Sequence, residues 1–379
     1  MKIGKIHTAT LLLSMMSAIT VHSQNPVKYK VTFPDVGNYK VLKCEFHTHT
    51  IFSDGKVWPT ERIMEAYSDD LDAISLTEHL EFRAHISELA SPDHNHSFEL
   101  AEPVARKLDI LNIKGCEITR MVPPGHLNAI FVSDCNKILI PSGNRNPGDS
   151  ANYQLAVKEA VSQGGFVFFN HPYYRLSHDH IKLPESIEKL MDAGFINGIE
   201  LINENRYIPR SFDWALKKNL AMIASGDAHS SMPLFLREFR LKYRPVTLVL
   251  AEKRTGESIL DALQNRRTLI WWKDHIMGRK EVVEPFVRAC VNIKKYEFEN
   301  NRLSITFENL SAATFDVELI CDNNVYVSQA ISLQPNTEIM MTADVLNSQL
   351  KSVPVSFRIN NVWIADQKPL TIQYAFERK

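Results

Sequence analysis

The chain has 379 residues, room for one large α/β domain and a smaller companion. Its 43 Lys and Arg against 44 Asp and Glu leave a net charge of −1. No global field draws it to nucleic acid or to an anionic membrane, so an anionic ligand must be held by a local site. Five cysteines, Cys44, Cys116, Cys135, Cys290 and Cys321, are odd in number and lack the close spacing of a zinc ribbon or a disulfide scaffold.

Residues 1 to 23 read as a secretory leader. Lys2 and Lys5 flank the start, Thr10 to Val21 is mostly apolar and too short to span a bilayer, and Val21-His22-Ser23 precedes a polar Gln24-Asn25-Pro26 break. The expectation is export to the periplasm or beyond, with no transmembrane segment left after cleavage. From about residue 40 to 270, short apolar runs alternate with amphipathic ones, the pattern of βα units around a parallel sheet or barrel. The expected strands are Val41–Phe46, Ala73–Thr77, Ile113–Ile118, Leu127–Val132, Phe166–Asn170, Gly198–Ile202 and Ala221–Ser225. Pro59 starts a helix carrying Ile63, Ala66 and Tyr67, and Tyr153–Val161 forms another before the Gly164-Gly165 stop.

Polar residues recur where these strands should end. In order they are His47, His49 and Asp54; Thr77-Glu78-His79; Gly115-Cys116-Glu117; Gly125-His126-Leu127-Asn128-Ala129; Asn170-His171-Pro172; and Ser225-Gly226-Asp227-Ala228-His229. In a parallel barrel the strand ends share one rim, which would gather His47, His49, Asp54, His79, Glu117, His126, His171, Asp227 and His229 in one pocket. Nine ligand-type groups exceed one tetrahedral ion and fit two or three divalent ions with shared carboxylates; zinc, manganese and iron all suit such donors. His126 stands apart because it precedes its apolar run. Cys44 and Cys116 could act as soft ligands, although strand alternation turns Cys116 away from Glu117.

The His-x-His…Ser-Asp-Gly opening, Thr-Glu-His, Gly-x-Glu, Gly-His-Leu-Asn-Ala, Asn-His-Pro and Gly-Asp-Ala-His together resemble the PHP (polymerase and histidinol phosphatase) superfamily over residues 40 to 272. That resemblance implies a distorted (β/α)7 barrel, the nine ligand positions above and hydrolysis of phosphate esters. The leader and the C-terminal segment also resemble a secreted bacterial subgroup of PHP phosphodiesterases named after a Sphingobium enzyme. The implied activity is metal-dependent phosphoester hydrolysis, a diester favoured over a monoester, with in-line attack at phosphorus by metal-bridging hydroxide. Asp227 and His229 are the expected catalytic residues, with Arg120 both catalytic and a fork for the phosphate; Arg206 and Tyr173 are further substrate-binding candidates and Arg175 stands behind them.

His94-Asn95-His96 and His178-Asp179-His180 repeat the His-x-His spacing in polar segments and read as surface loops, with a lid as the alternative. Trp271-Trp272 reads as packing against the C-terminal region. After residue 285, period-two alternation in 303–307, 315–319, 355–359 and 370–374 predicts a small antiparallel sandwich without a histidine. The expected division is a leader at 1–23, a metallohydrolase barrel at 24–284 and a β domain at 285–379.

Competing readings are an amidohydrolase acting on a carbon centre and a non-catalytic binding protein built on a relic barrel. The first commonly uses a metal-bridging lysine, absent from these strand ends; the second should have lost ligands. No basic stripe or stacking aromatic motif points to nucleic acid, so the expected partner is a small phosphoester. Oligomeric state has no signature in the sequence.

Overall fold

The computed structural model describes residues 28–89, 91–120, 125–138, 150–172, 182–321, 325–326 and 330–378. The expected leader, Tyr173, Arg175 and the 178–180 histidine pair lie outside the described residues.

The first part runs β1 (Lys40–Thr48), α1 (Pro59–Ser68), β2 (Ala73–Leu76), α2 (His96–Leu108), β3 (Leu111–Ile118) and β4 (Leu127–Ile130). It continues through α3 (Cys135–Ile138), α4 (Ser150–Ser162), β5 (Phe166–Phe169), α5 (Glu185–Asp192), β6 (Gly198–Asn203), β7 (Arg206–Tyr207), α6 (Pro209–Lys217) and β8 (Ala221–Ser225). Local chemistry explains several ends. Pro59 occupies the first turn of α1, where its missing N–H costs nothing, and Ile63 and Ala66 face inward. Gly164, after α4, has φ +82°, a conformation that stops the helix and suits a residue without Cβ.

β1, β2 and β3 pair in parallel, as do β5, β6 and β8. Between these groups β4 runs antiparallel to both β3 and β5. The all-parallel rim expected from the sequence is therefore corrected at one strand. The reversal explains His126: in an antiparallel strand the residue before the apolar run, not after it, reaches the rim. The curl meets itself where Thr48 bridges Ala228 in parallel, supported by Asp227 N donating to His47 O at 2.9 Å and His49 N to Ala228 O at 3.1 Å. Buried Leu42, Phe46, Ile113, Ile130, Phe168 and Ile223 from β1, β3, β4, β5 and β8 pack into one cluster.

Then come α7 (Met232–Glu238), β9 (Val246–Ala251), α8 (Gly256–Gln264), β10 (Thr268–Trp272), β11 (His275–Gly278) and α9 (Lys280–Cys290). The sequence reading had no strand at 246–251; a short continuous apolar run carries no period to read. β9 pairs antiparallel with β1 and β10, extending the sheet beyond β1. α9 runs across residue 285, where the domain boundary was expected.

The C-terminal strands are β12 (Val291–Glu299), β13 (Arg302–Asn309), β14 (Phe315–Ile320), β15 (Val325–Tyr326), β16 (Ala330–Leu333), β17 (Glu338–Val345), β18 (Ser352–Ala365) and β19 (Lys368–Glu377). β12, β13, β17 and β15 form a separate antiparallel sheet. The opposing layer, β16, β14, β18 and β19, is continuous with the large sheet, because β18 pairs in parallel with β11 through Ile276–Val362 and Met277–Trp363. Phe307 and Phe357 meet edge to face across the layers, ring centroids 5.2 Å apart. Trp271 and Trp272 are both buried, Trp271 stacking on Tyr243 at 4.3 Å, which makes them packing residues.

No helix among the described residues is long and apolar enough to cross a membrane.

Candidate metal centre

The segment after β1 turns sharply to aim Asp54 back at the strand. Gly55 N donates to Thr50 O at 2.9 Å, and a Cβ on Gly55 would sit 2.7 Å from the His49 and Thr50 backbone, so only glycine allows this approach. Glu78, buried beside the turn, accepts from Thr50 N at 3.1 Å and from the hydroxyls of Thr50 and Ser53. Burial pushes the Glu78 carboxyl up and those donors pull it partly back.

All nine sequence-selected side chains converge in space. Asp227 Oδ1 lies 3.1 Å from both His47 Nε2 and His49 Nε2. Asp54 Oδ1 lies 3.1 Å from His229 Nε2 and 3.4 Å from His79 Nε2. Glu117 is the hub: it stands 2.6 Å from His79 Nδ1, 2.8 Å from His126 Nδ1, 3.5 Å from His49 Nε2, 3.6 Å from His171 Nε2 and 3.8 Å from His47 Nε2. Among the described residues, four overlapping groups have the compactness a metal ion needs: His49, Asp54, His79 and His229; His47, His171 and Asp227; His47, His49 and Glu117; and His79, Glu117 and His126. Their overlap through His79 and Glu117 suits adjacent ions sharing ligands.

Three features suit these groups to holding cations. His47 Nε2, His49 Nε2, Asp54 Oδ1, Glu117 Oε2 and Asp227 Oδ1 are buried yet make no hydrogen bond of good geometry, a cost that a bound ion would remove. Second, imidazole tautomers are set from behind. His229 Nδ1 lies 2.8 Å from Asp227 O, which can only accept, and His47 Nδ1 lies 2.8 Å from the Glu200 carboxylate; each leaves the Nε2 lone pair facing the centre. Third, the backbone is strained at two rim residues, with φ +50° at Asp227 and +22° at His171.

The charges respond to this crowding. Burial opposes ionisation of Glu117 and Asp227, but surrounding imidazoles, His79 first for Glu117 and His47 first for Asp227, hold both well below the usual carboxylate range. His49 moves the other way: burial, then His229 and His79, push it down to about 3, which favours the neutral imidazole that a metal ligand needs.

Several supporting residues went unassigned in the sequence reading. Glu200, in the buried strand β6, also accepts from His171 N at 2.7 Å and Asn203 Nδ2 at 3.0 Å. An acid in the middle of an all-buried strand was the available signal. Asn170 Nδ2 donates to Glu117 Oε1 at 3.1 Å, and Asn128 N donates to Asn170 Oδ1 at 3.1 Å; both asparagines lie inside motifs read only for their neighbours.

A cavity of about 310 Å³ opens on the centre, lined by Asp54, His79, His126, His171, Asn203, Glu204, Arg206, Asp227 and His229. Arg206 is thus at the mouth. Arg120 is elsewhere: it is buried, ion-paired to Glu81 and donates to Thr119 O at 3.0 Å, outside the cavity lining. Tyr173 lies outside the described residues. His94 and His96 do not line the cavity; His96 packs edge-on to Phe52 at 5.5 Å. Cys44 and Cys116 belong to none of the four groups. Burial drives the Cys44 thiol well up, and contact with Cys135, then burial, does so for Cys116.

Comparison with solved structures gives an extensive match. A two-domain protein from Bacteroides vulgatus, described as containing a predicted PHP-like metal-dependent phosphoesterase, is 35% identical, with 92% of this chain and 99% of that one covered at a TM-score of 0.84. A Chromobacterium violaceum amidohydrolase with bound sulfate and no metal shares 15% identity over 50% of this chain and 88% of that one at a TM-score of 0.36. A Bifidobacterium adolescentis protein, provisionally assigned as a metal-dependent phosphoesterase, shares 14% over 59% and 96% at 0.38. The last two scores are too low to carry an argument. No family model and no curated protein matches the chain.

Proposed function

Because the chain belongs to the PHP-like metal-dependent phosphoesterases, we propose that it is an exported phosphodiesterase acting on a diester of a small organic alcohol. The observation that carries hydrolysis is the set of five buried donor atoms, from His47, His49, Asp54, Glu117 and Asp227, that face one another without hydrogen bonds. Two or three divalent ions, zinc, manganese or iron, fit that set and would supply an activated water while neutralising phosphoryl oxygens.

The chain's own groups divide the remaining work. Glu117 and Asp227 each face several imidazoles and so can bridge; His229, whose Nδ1–H is held by Asp227 O, presents Nε2 toward Asp54 at the cavity. Arg206 at the mouth is suited to grip a non-bridging phosphoryl oxygen. Arg120, engaged by Glu81, serves this reading less directly. The proposed mechanism is attack by water in line with the leaving alkoxide, with no covalent enzyme intermediate, the course that a centre of several divalent ions would favour. Preference for a diester rests on the subgroup resemblance, and export on the apolar leader pattern of residues 1 to 23.

Protein purified without chelator should contain divalent metal by elemental analysis and hydrolyse bis-p-nitrophenyl phosphate faster than p-nitrophenyl phosphate, with solvent oxygen-18 entering the phosphate product. Turnover of the monoester alone would reassign it as a phosphomonoesterase. Inertness of the metal-loaded protein toward both esters, or a trapped phosphoenzyme, would overturn the mechanism.

A further inference from the structure

Arg62, on α1, has no exposed surface although it carries a charge. Burying a guanidinium is costly unless each face finds a partner, and the partners here are specific. Nε donates to His49 O at 3.0 Å, Nη2 to Ala228 O at 2.7 Å and Nη1 to Glu65 Oε2 at 2.7 Å. The other Glu65 oxygen accepts from Met232 N at 2.6 Å, at the start of α7.

These contacts straddle a place where the curled sheet lacks a regular ladder. The end of β1 and the segment after β8 meet through the Thr48–Ala228 bridge, and backbone hydrogen bonds beside it include Lys56 N to His229 O at 2.7 Å. His49 is itself a ligand candidate and Ala228 sits between two others, Asp227 and His229. One planar fork therefore ties the first ligand segment of the chain to the last, Arg62 reaching Ala228 across 166 positions of sequence.

Resting on the metal-centre reading above, we infer that Arg62 is a positioning residue that sets the spacing of the ligand groups crossing this seam. Two groups cross it: His49, Asp54, His79 and His229, and His47, His171 and Asp227. The His79, Glu117 and His126 group sits at the rim ends of β2, β3 and β4, on one side of the seam, and takes none of the fork's hydrogen bonds. Loss of Arg62 should thus weaken some ions selectively, which a general loosening of the fold would not do.

The test uses the full chain, stripped with chelator and titrated calorimetrically with Zn²⁺ or Mn²⁺ alone, so that it is read without any substrate and stays separable from the phosphodiesterase reading. In Arg62→Met, seam-crossing affinity should fall by roughly 10 to 100-fold, the usual effect of removing a group that orients metal ligands, while another binding class changes by less than about threefold. Arg62→Lys, which keeps the charge and one donor direction but not the fork, should recover part of the loss. If Arg62→Met does not give the far-ultraviolet spectrum and apo melting of a folded protein, Arg62→Lys is read by the same criteria. Unchanged affinity in a folded variant, or uniform weakening where two or more classes exist, would overturn the inference.

Discussion

In β13 the alternate side chains Leu303, Ile305 and Phe307 are buried and apolar, and Ser304 and Thr306 between them are partly exposed; at the rim of the α/β part the buried side chains include His47, His49, Glu78, Glu117 and Glu200. The C-terminal layers also bury polar groups, but those are answered by backbone: Asn309 Nδ2 faces the carbonyls of Ala313, Leu333 and Gln334, and Asn361 Nδ2 donates to Thr314 O at 2.8 Å. At the rim, by contrast, five buried ligand atoms have no hydrogen bond of good geometry. One region spends its buried volume on cohesion, whereas the other holds unsatisfied charge in place for ions, which costs stability until they bind.

The strongest attempt to break this contrast is Asp227→Ala or His47→Ala. Either should lower kcat of the metal-loaded enzyme by at least about a thousandfold while the C-terminal layers unfold at their usual denaturant concentration. Near-native turnover would mean that the convergence is not the reactive centre. The reciprocal change is Phe357→Ala, which empties the contact with Phe307 and should cost about 3 to 5 kcal/mol by denaturant titration. Metal affinity of the folded fraction should hold; its loss would show that the β11–β18 junction transmits packing to the rim.

A smaller change sharpens the comparison within the rim. Glu200→Gln keeps the shape around His47 but removes the carboxylate behind Nδ1, and should weaken Zn²⁺ binding by roughly 10 to 100-fold with little effect on melting of the apo protein. The smallest expected effect is at Asp70, outside both regions. Burial opposes its ionisation, but Lys28, Lys43 and Val31 N hold its pKa below the usual value. A depressed folded-state pKa stabilises the fold above the unfolded value near 3.9 and loses that contribution as pH falls through the folded one. Screened as it is by solvent, Asp70→Asn should cost about 0.5 to 1 kcal/mol at pH 7, with the deficit shrinking below about pH 4. A deficit that persisted at low pH would assign it to lost hydrogen bonds.

The strands and ligands were legible for the same reason. All seven expected strands are present with ends shifted by two residues at most, because a strand's apolar run is a local feature, and the ligand candidates stand at or near the ends of such runs. Arg120 shows the limit: three residues beyond Glu117 it looked like a loop fork, but Glu81, thirty-nine positions away, takes it into a buried ion pair. Glu200 shows another, since its value depends on His47, 153 residues earlier.

By itself the sequence determined which residue types stand at the ends of which strands, and hence that imidazoles and acids are plentiful enough for a metal centre. Only the tertiary structure decided that β4 runs against its neighbours and so delivers His126 from the other direction, that one C-terminal layer continues the large sheet through β11, and that Arg62 reaches both sides of the seam. Side-chain periodicity is written in adjacent residues, whereas strand direction and partner depend on which distant segments bury each other's surface, and no single run of residues contains that information.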